Sequence, residues 1–393
     1  MSGSDLASTR PAARSGRSVA RPADIARRIA PRPRRSLAVA LASLAALLGS
    51  VAVTLRAGAS RPASSSPFEL LSESPNAPGV NGAAAIVLTF SGDPKATGGL
   101  PTFRPAVPGQ WYAVHNQLIF RPDGAFPPGA VITVHVRGGA SGVTSVGGRP
   151  LVRGVVFQFG TRSGSVRRAQ QILSLLGYLP VHFVPAIHQV PTLDDAEREM
   201  YVPPQGLFTW TWDAPSQLQA LFVEGDANVL FRGALMSFES SHGLAVTGTL
   251  GPTVWSDLVR ASQHLSLWRN RAGYTYALAD KNYPETLTVW HDNKVLLVSP
   301  ANTGGDLTPT EDGNFPVYLR LASQVMTGVN PDGAPYADPV AWVAYFNGGD
   351  AVHYIDREDY GIPQSLGCVE LPYDQAEFIW PYLTIGTIVT VEQ

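Results

Sequence analysis

Pro363-Gln364-Ser365-Leu366-Gly367-Cys368-Val369-Glu370-Leu371-Pro372 sets the only cysteine of a 393-residue chain behind a Ser-x-Gly turn. A lone Cys is either a small buried hydrophobe or a reactive thiol. Fifteen residues upstream, His353 stands at the end of the apolar run WVAYFNGGDAVHY (342–354), one residue before its last. A thiol near pKa 8.5 attacks well only as thiolate, and a neighbouring imidazole can take its proton. Gly367 lets the backbone turn sharply, so that N–H groups can aim at a developing oxyanion, an effect worth roughly 3–4 kcal/mol per donor. Strand-end imidazole, tight turn and Cys are together what nucleophilic acyl transfer requires.

Around this turn the last 125 residues read as β-structure with a loop-built site: LTVWHDNKVLLVSPANTG (287–304), TPTEDGNFPVYL (308–319) and GTIVTVEQ (386–393), with one helical stretch at 373–383. Three blocks in order carry a family resemblance. They are Ser299 to Gly304 with Thr308 to Phe315, then Ala351-Val352-His353, then Ser365 to Leu371 closed by Gly386 to Val389. Residues 285–393 resemble the catalytic domain of the YkuD-type L,D-transpeptidases, which cross-link peptidoglycan.

The resemblance implies Cys368 as nucleophile and His353 as base, with the Tyr354 carbonyl orienting the ring. Ser365 and Gly367 shape the loop, and the Cys368 N–H faces the oxyanion. Residues 320–346 correspond to a flap over the cleft, which makes Met326, Tyr336 and Trp342 candidate substrate contacts. Two positions depart from the family pattern. Leu366 stands where many members have His, and Glu370 where they commonly have Arg or Asn. Glu370 is therefore a candidate to repel a substrate carboxylate, steer an acceptor amine, pair with a nearby Arg, or remain a solvated loop carboxylate.

The implied reaction has two steps. Cys368 takes the carbonyl of the diamino acid in a tetrapeptide stem and expels the terminal D-Ala; an amine of a second stem then resolves the thioester to a 3→3 cross-link. Water as acceptor would make the site a carboxypeptidase. The partners implied are peptidoglycan stems and glycan, with carbapenem-type beta-lactams as covalent inhibitors. No metal or organic cofactor is needed, and the eight His show no zinc-ligand spacing. Sortases and papain-like amidases fit the order and spacing of Cys and His less well. The rival of a different class is an inactive wall-binding scaffold.

The remaining chain suits an envelope protein. Residues 1–35, a basic tail expected on the cytoplasmic side, hold nine Arg against Asp5 and Asp24. Ser36–Leu55 is an uncharged run of twenty residues, long enough for a single membrane span that leaves the body exported. Cleavage near Ala57-Gly58-Ala59, giving a secreted protein, is the alternative. The body is acidic, with only Lys95, Lys281 and Lys294 as lysines, which excludes a basic nucleic-acid footprint. Residues 56–78 read as a Ser/Pro-rich linker and 79–162 as an Ig-like β-sandwich with turns at Pro122-Asp123-Gly124 and Pro127-Pro128-Gly129. Residues 165–262 resemble a peptidoglycan-binding helical module through Gly248-Thr249-Leu250-Gly251-Pro252 and Trp255, with an insertion at 179–216. The fold class expected is multidomain and mainly β: a β-rich catalytic sandwich at 270–393 behind a small α-helical module and an Ig-like sandwich.

Overall fold

The computed structural model describes residues 66–393. The basic tail, the apolar run at 36–55 and the start of the linker lie outside the described residues. Among the described residues, no helix is long and apolar enough to cross a membrane. The chain is mainly β, in several sheets.

The first part packs a four-stranded sheet (in order Leu70–Ser74, Ile86–Phe90, Gln117–Pro122, Gly109–Val114) on a three-stranded one (Thr102–Arg104, Val131–Val136, Val155–Gly160). Alternation does the sorting: Ile86, Leu88 and Phe90 point into the core while Val87 and Thr89 stay half-buried. The linker expected to run to residue 78 is shorter than that. Phe68 is buried and stacks on Phe90 at 5.2 Å between ring centroids, and Leu70–Ser74 pairs antiparallel with Ile86–Phe90. An apolar Phe68-Glu69-Leu70-Leu71 step inside a Ser/Pro-rich stretch is enough to complete the sheet edge.

The middle part is helical. Val166–Leu176 is capped by the Ser165 side chain and ended by Gly177 in the left-handed region (φ 81°). Val229–Ser241 starts at Asn228, and Pro252–Gln263 carries Pro at its start. The 179–216 segment forms the hairpin Val181–Pro185 with Gly206–Trp210 and the short helix Leu193–Glu199. Glu239, fully buried, accepts from Thr247 N–H, Thr247 Oγ1 and Gly248 N–H, and so pins the Gly-rich turn before Pro252. This helical core does not close on itself: Tyr276 and Ile388 of the C-terminal part complete it. At that seam Gly233 and Gly386 meet backbone to backbone, where a Cβ on Gly233 would lie 2.6 Å from the Gly386 carbonyl oxygen. Neither position tolerates a side chain.

The C-terminal part has two sheets. The five-stranded sheet runs Lys294–Pro300, Thr286–His291, Thr275–Asp280, Ile388–Glu392, Gly313–Pro316, with its central pair Thr275–Asp280 and Ile388–Glu392 parallel. The four-stranded sheet runs Leu319–Val329, Pro335–Asn347, Asp350–Tyr354, Val369–Leu371. Leu287, Val289, Val352, Val369, Val389 and Val391 fill the layer between them, and helix Tyr373–Ile379 covers one end with Ala376 and Ile379. The sequence expected at 320–346 as a flap is a long hairpin, with Gly328 opposite Tyr336.

Candidate active site

The site begins with one parallel pairing: His353 of strand Asp350–Tyr354 lies opposite Glu370 of Val369–Leu371. Cys368 directly precedes the second strand, so the pairing carries thiol and imidazole to the same sheet edge. Both line a cleft of ≈ 410 Å³.

His353 is buried, and its Nδ1 lies 3.0 Å from the Tyr354 carbonyl oxygen. Nδ1–H donating to that carbonyl leaves Nε2 with the free lone pair, the tautomer a general base needs. Burial pushes the His353 pKa below its ordinary value, against smaller opposing effects of the Tyr354 carbonyl and Glu370. Burial also pushes the Cys368 thiol up to about 12, with Asp350 and Glu370 adding to the rise. Both groups are therefore neutral at rest. The thiol rests on the Gly349 carbonyl, 3.8 Å from Sγ, and no hydrogen bond links it to His353.

The turn before Cys368 is set by named contacts. Ser365 Oγ donates to the Cys368 carbonyl (2.7 Å) and accepts from Gly367 N–H (3.1 Å). Gly367 N–H is thereby committed within the turn. Gly367 has φ 119°, and a Cβ there would sit 2.6 Å from Asp350 Oδ1, so only glycine fits.

A second layer holds the whole loop. Asn302 is fully buried; its Oδ1 accepts from Gly361 N–H (2.9 Å) and Ile362 N–H (3.3 Å), and its Nδ2 donates to the Asp359 carbonyl (3.2 Å) and Glu370 Oε2 (3.3 Å). Next to it, the Thr303 carbonyl accepts from Gln364 N–H and Ser365 N–H. Thr303 is itself fixed by the buried Glu285, which accepts from its N–H (2.7 Å) and Oγ1 (2.9 Å). The contacts from Asn302 and the Thr303 carbonyl join residues more than fifty positions apart in the chain. Asn302 and Thr303 stand in the Ser299–Gly304 block, but no local pattern marks them as anchors.

The sequence candidates separate here. Met326 and Tyr336 reach the cleft from the hairpin, and Gly328 leaves the room across the strand pair that the Tyr336 ring occupies. Leu366 also lines it. Trp342, expected as a substrate contact, does not. It sits at a β-bulge with φ 58° and packs on Trp380 and Tyr373, with ring centroids 5.5 and 6.2 Å away. The bulge breaks the alternation that would have turned it toward the hairpin's cleft face. Glu370 is not a solvated carboxylate: it is 3% exposed and held by Arg357 through Nε–Oε2 (2.8 Å) and Nη2–Oε1 (2.6 Å). Arg357, Asp338 and Asp350, none singled out from the sequence, also line the cleft. Among the described residues no group of three or more His, Cys, Asp or Glu is arranged to hold a metal ion.

The L,D-transpeptidase catalytic domain family, YkuD, matches residues 274–391. Among solved structures, the chain is similar to an L,D-transpeptidase from Mycobacterium smegmatis at 15% identity, over 84% of this chain and 100% of that one, with a TM-score of 0.28. The catalytic domain of the E. faecium L,D-transpeptidase acylated by ertapenem is similar at 28% identity, over 30% of this chain and 98% of that one, with a TM-score of 0.28. L,D-transpeptidase 3 from Mycobacterium tuberculosis in complex with a faropenem-derived adduct is similar at 16% identity, over 83% of this chain and 98% of that one, with a TM-score of 0.27. No curated protein matches the chain. The chain thus carries, at residues 274–391, a YkuD-type L,D-transpeptidase catalytic domain.

Proposed function

We propose that this protein forms 3→3 cross-links in peptidoglycan through a Cys368 thioester. The observation that carries this reading is the pairing of His353 with its Nδ1 tied to the Tyr354 carbonyl and Cys368 on a glycine-only turn in one cleft. With thiol and imidazole both neutral at rest, the proton moves from Sγ to His353 Nε2 as Sγ attacks the carbonyl of the diamino acid. The Cys368 N–H faces the oxyanion. His353 then returns the proton to the departing amine of D-Ala, and the amine of a second stem resolves the thioester.

Ser365 and Gly367 shape the nucleophile loop, and Met326 and Tyr336 are the hairpin's contacts to the donor stem. Carbapenem-type beta-lactams acylate the same sulfur. The Arg-rich residues and apolar run at 1–55 support a place in the cell envelope, with the body held outside the membrane. The test is product analysis. A tetrapeptide stem with a diamino acid at its third position, incubated with the full-length protein, should yield a 3→3 dimer and free D-Ala, and Cys368→Ala should yield neither. Equal product from the variant would refute the reading. No product from a folded wild type would favour a wall-binding scaffold.

A further inference from the structure

Asp350 stands at the start of the strand Asp350–Tyr354 that carries His353, and its carboxylate lines the cleft against the turn that presents the nucleophile. Its Oδ1 occupies the space a Cβ on Gly367 would need, at 2.6 Å, and the preceding residue, Gly349, supplies the carbonyl on which the thiol rests. Among the described residues no hydrogen bond or ion pair reaches this carboxylate. The one guanidinium of the cleft, Arg357, is spent on Glu370. Asp338, on the hairpin side, also lines the cleft and lies within the field of Arg357. The cleft thus holds the Arg357–Glu370 pair beside His353, with Asp338 in the same positive field, and one carboxylate, Asp350, with no cation near it. Half-burying a carboxylate without a partner is costly, and burial with the nearby Glu311 pushes the Asp350 pKa up to about 6. A cationic ligand would offset that cost.

We propose that Asp350 is the acceptor-specificity residue of this site: it receives the ammonium of the incoming stem and takes one of its protons, so that the acyl-enzyme is resolved by amine rather than by water. This rests on the function proposed above. Protons balance in the step. The ammonium gives its first proton to Asp350, and the resulting amine attacks the thioester carbonyl. His353 takes the second proton and passes it to Sγ as the C–S bond breaks, while the third stays on the new amide nitrogen. Asp350 then loses its proton to solvent.

The experiment compares full-length wild type, Asp350→Asn and Asp350→Glu on two readouts. Intact mass after carbapenem treatment reports acylation. The ratio of dimer to tripeptide formed from a tetrapeptide stem reports aminolysis against hydrolysis. Asp350→Asn should acylate no more slowly than wild type, which shows the variant is folded, while its dimer-to-tripeptide ratio falls about tenfold or more; Asp350→Glu should recover part of the ratio. An unchanged ratio, or an equal fall in both products, would overturn the inference while leaving the proposed function standing. A wild type that forms no adduct would bring down the proposed function and this inference with it.

Discussion

Arg357 and Glu370 meet edge to edge through two parallel hydrogen bonds, Nε to Oε2 at 2.8 Å and Nη2 to Oε1 at 2.6 Å, at the margin of the cleft that Cys368 and His353 line. The pair explains how an acidic residue is accommodated two positions after Cys368. Its charge is neutralised within the protein, and Asn302 takes part of the remaining acceptor capacity. Removing Arg357 would strand a carboxylate that is 3% exposed. Arg357→Ala should therefore destabilise the fold by about 3 kcal/mol, at the low end for breaking a buried pair because the Arg357 side chain is itself 30% exposed. Denaturant unfolding checks this, and Arg357→Met with Glu370→Leu should recover most of the loss.

Asn302 is the loop's central anchor, with four side-chain hydrogen bonds to residues 359–370. Asn302→Ala leaves buried N–H and C=O groups without partners, at ~1–3 kcal/mol each before relaxation. Slower acylation of Cys368 is expected with the circular dichroism spectrum retained, because the nucleophile turn loosens before the sheets do. An unchanged acylation rate would show that Thr303 and Ser365 suffice.

Asp350 ties stability to pH. Its folded-state pKa of about 6 lies above the ordinary carboxylate range, so the fold binds this proton more tightly than the unfolded chain does. The stabilising contribution is full below the unfolded value and is lost as pH rises through about 6. Asp350→Asn should melt higher than wild type at pH 7.5, and the difference should shrink at pH 4.5. A difference that grows on acidification would contradict the assignment.

Gly367 bears both a backbone and a steric constraint. At φ 119°, with a Cβ falling 2.6 Å from Asp350 Oδ1, Gly367→Ala should cost about 1–3 kcal/mol and displace Cys368. Pairing it with Asp350→Gly removes the clash but not the strain, so carbapenem acylation should recover only in part.

What was legible in the sequence was local. Ser165 and Gly177 mark the ends of a helix through chemistry that acts within one turn. Cys368, Gly367 and His353 could be picked out because a thiol, a tight turn and a strand-borne imidazole are each visible as a residue type, and the fold brings them to one cleft edge. Phe68 was hidden because its stacking partner Phe90 lies beyond a Ser/Pro-rich stretch that reads as tether. Trp342 was misassigned because a bulge shifts the pleat without leaving a glycine or proline to announce it. Arg357, Asn302 and Asp350 were missed for a common reason. Each acts through a partner that the path of a loop, and not any spacing, brings near.

The central claim is that Cys368 is an activated acyl acceptor in this cleft. Intact mass spectrometry of the full-length protein with a carbapenem, beside Cys368→Ala and His353→Ala, tests it most directly. The account predicts a single adduct on wild type, none on Cys368→Ala and a much slower one on His353→Ala. An adduct of equal extent on Cys368→Ala, or none on a folded wild type, would contradict it.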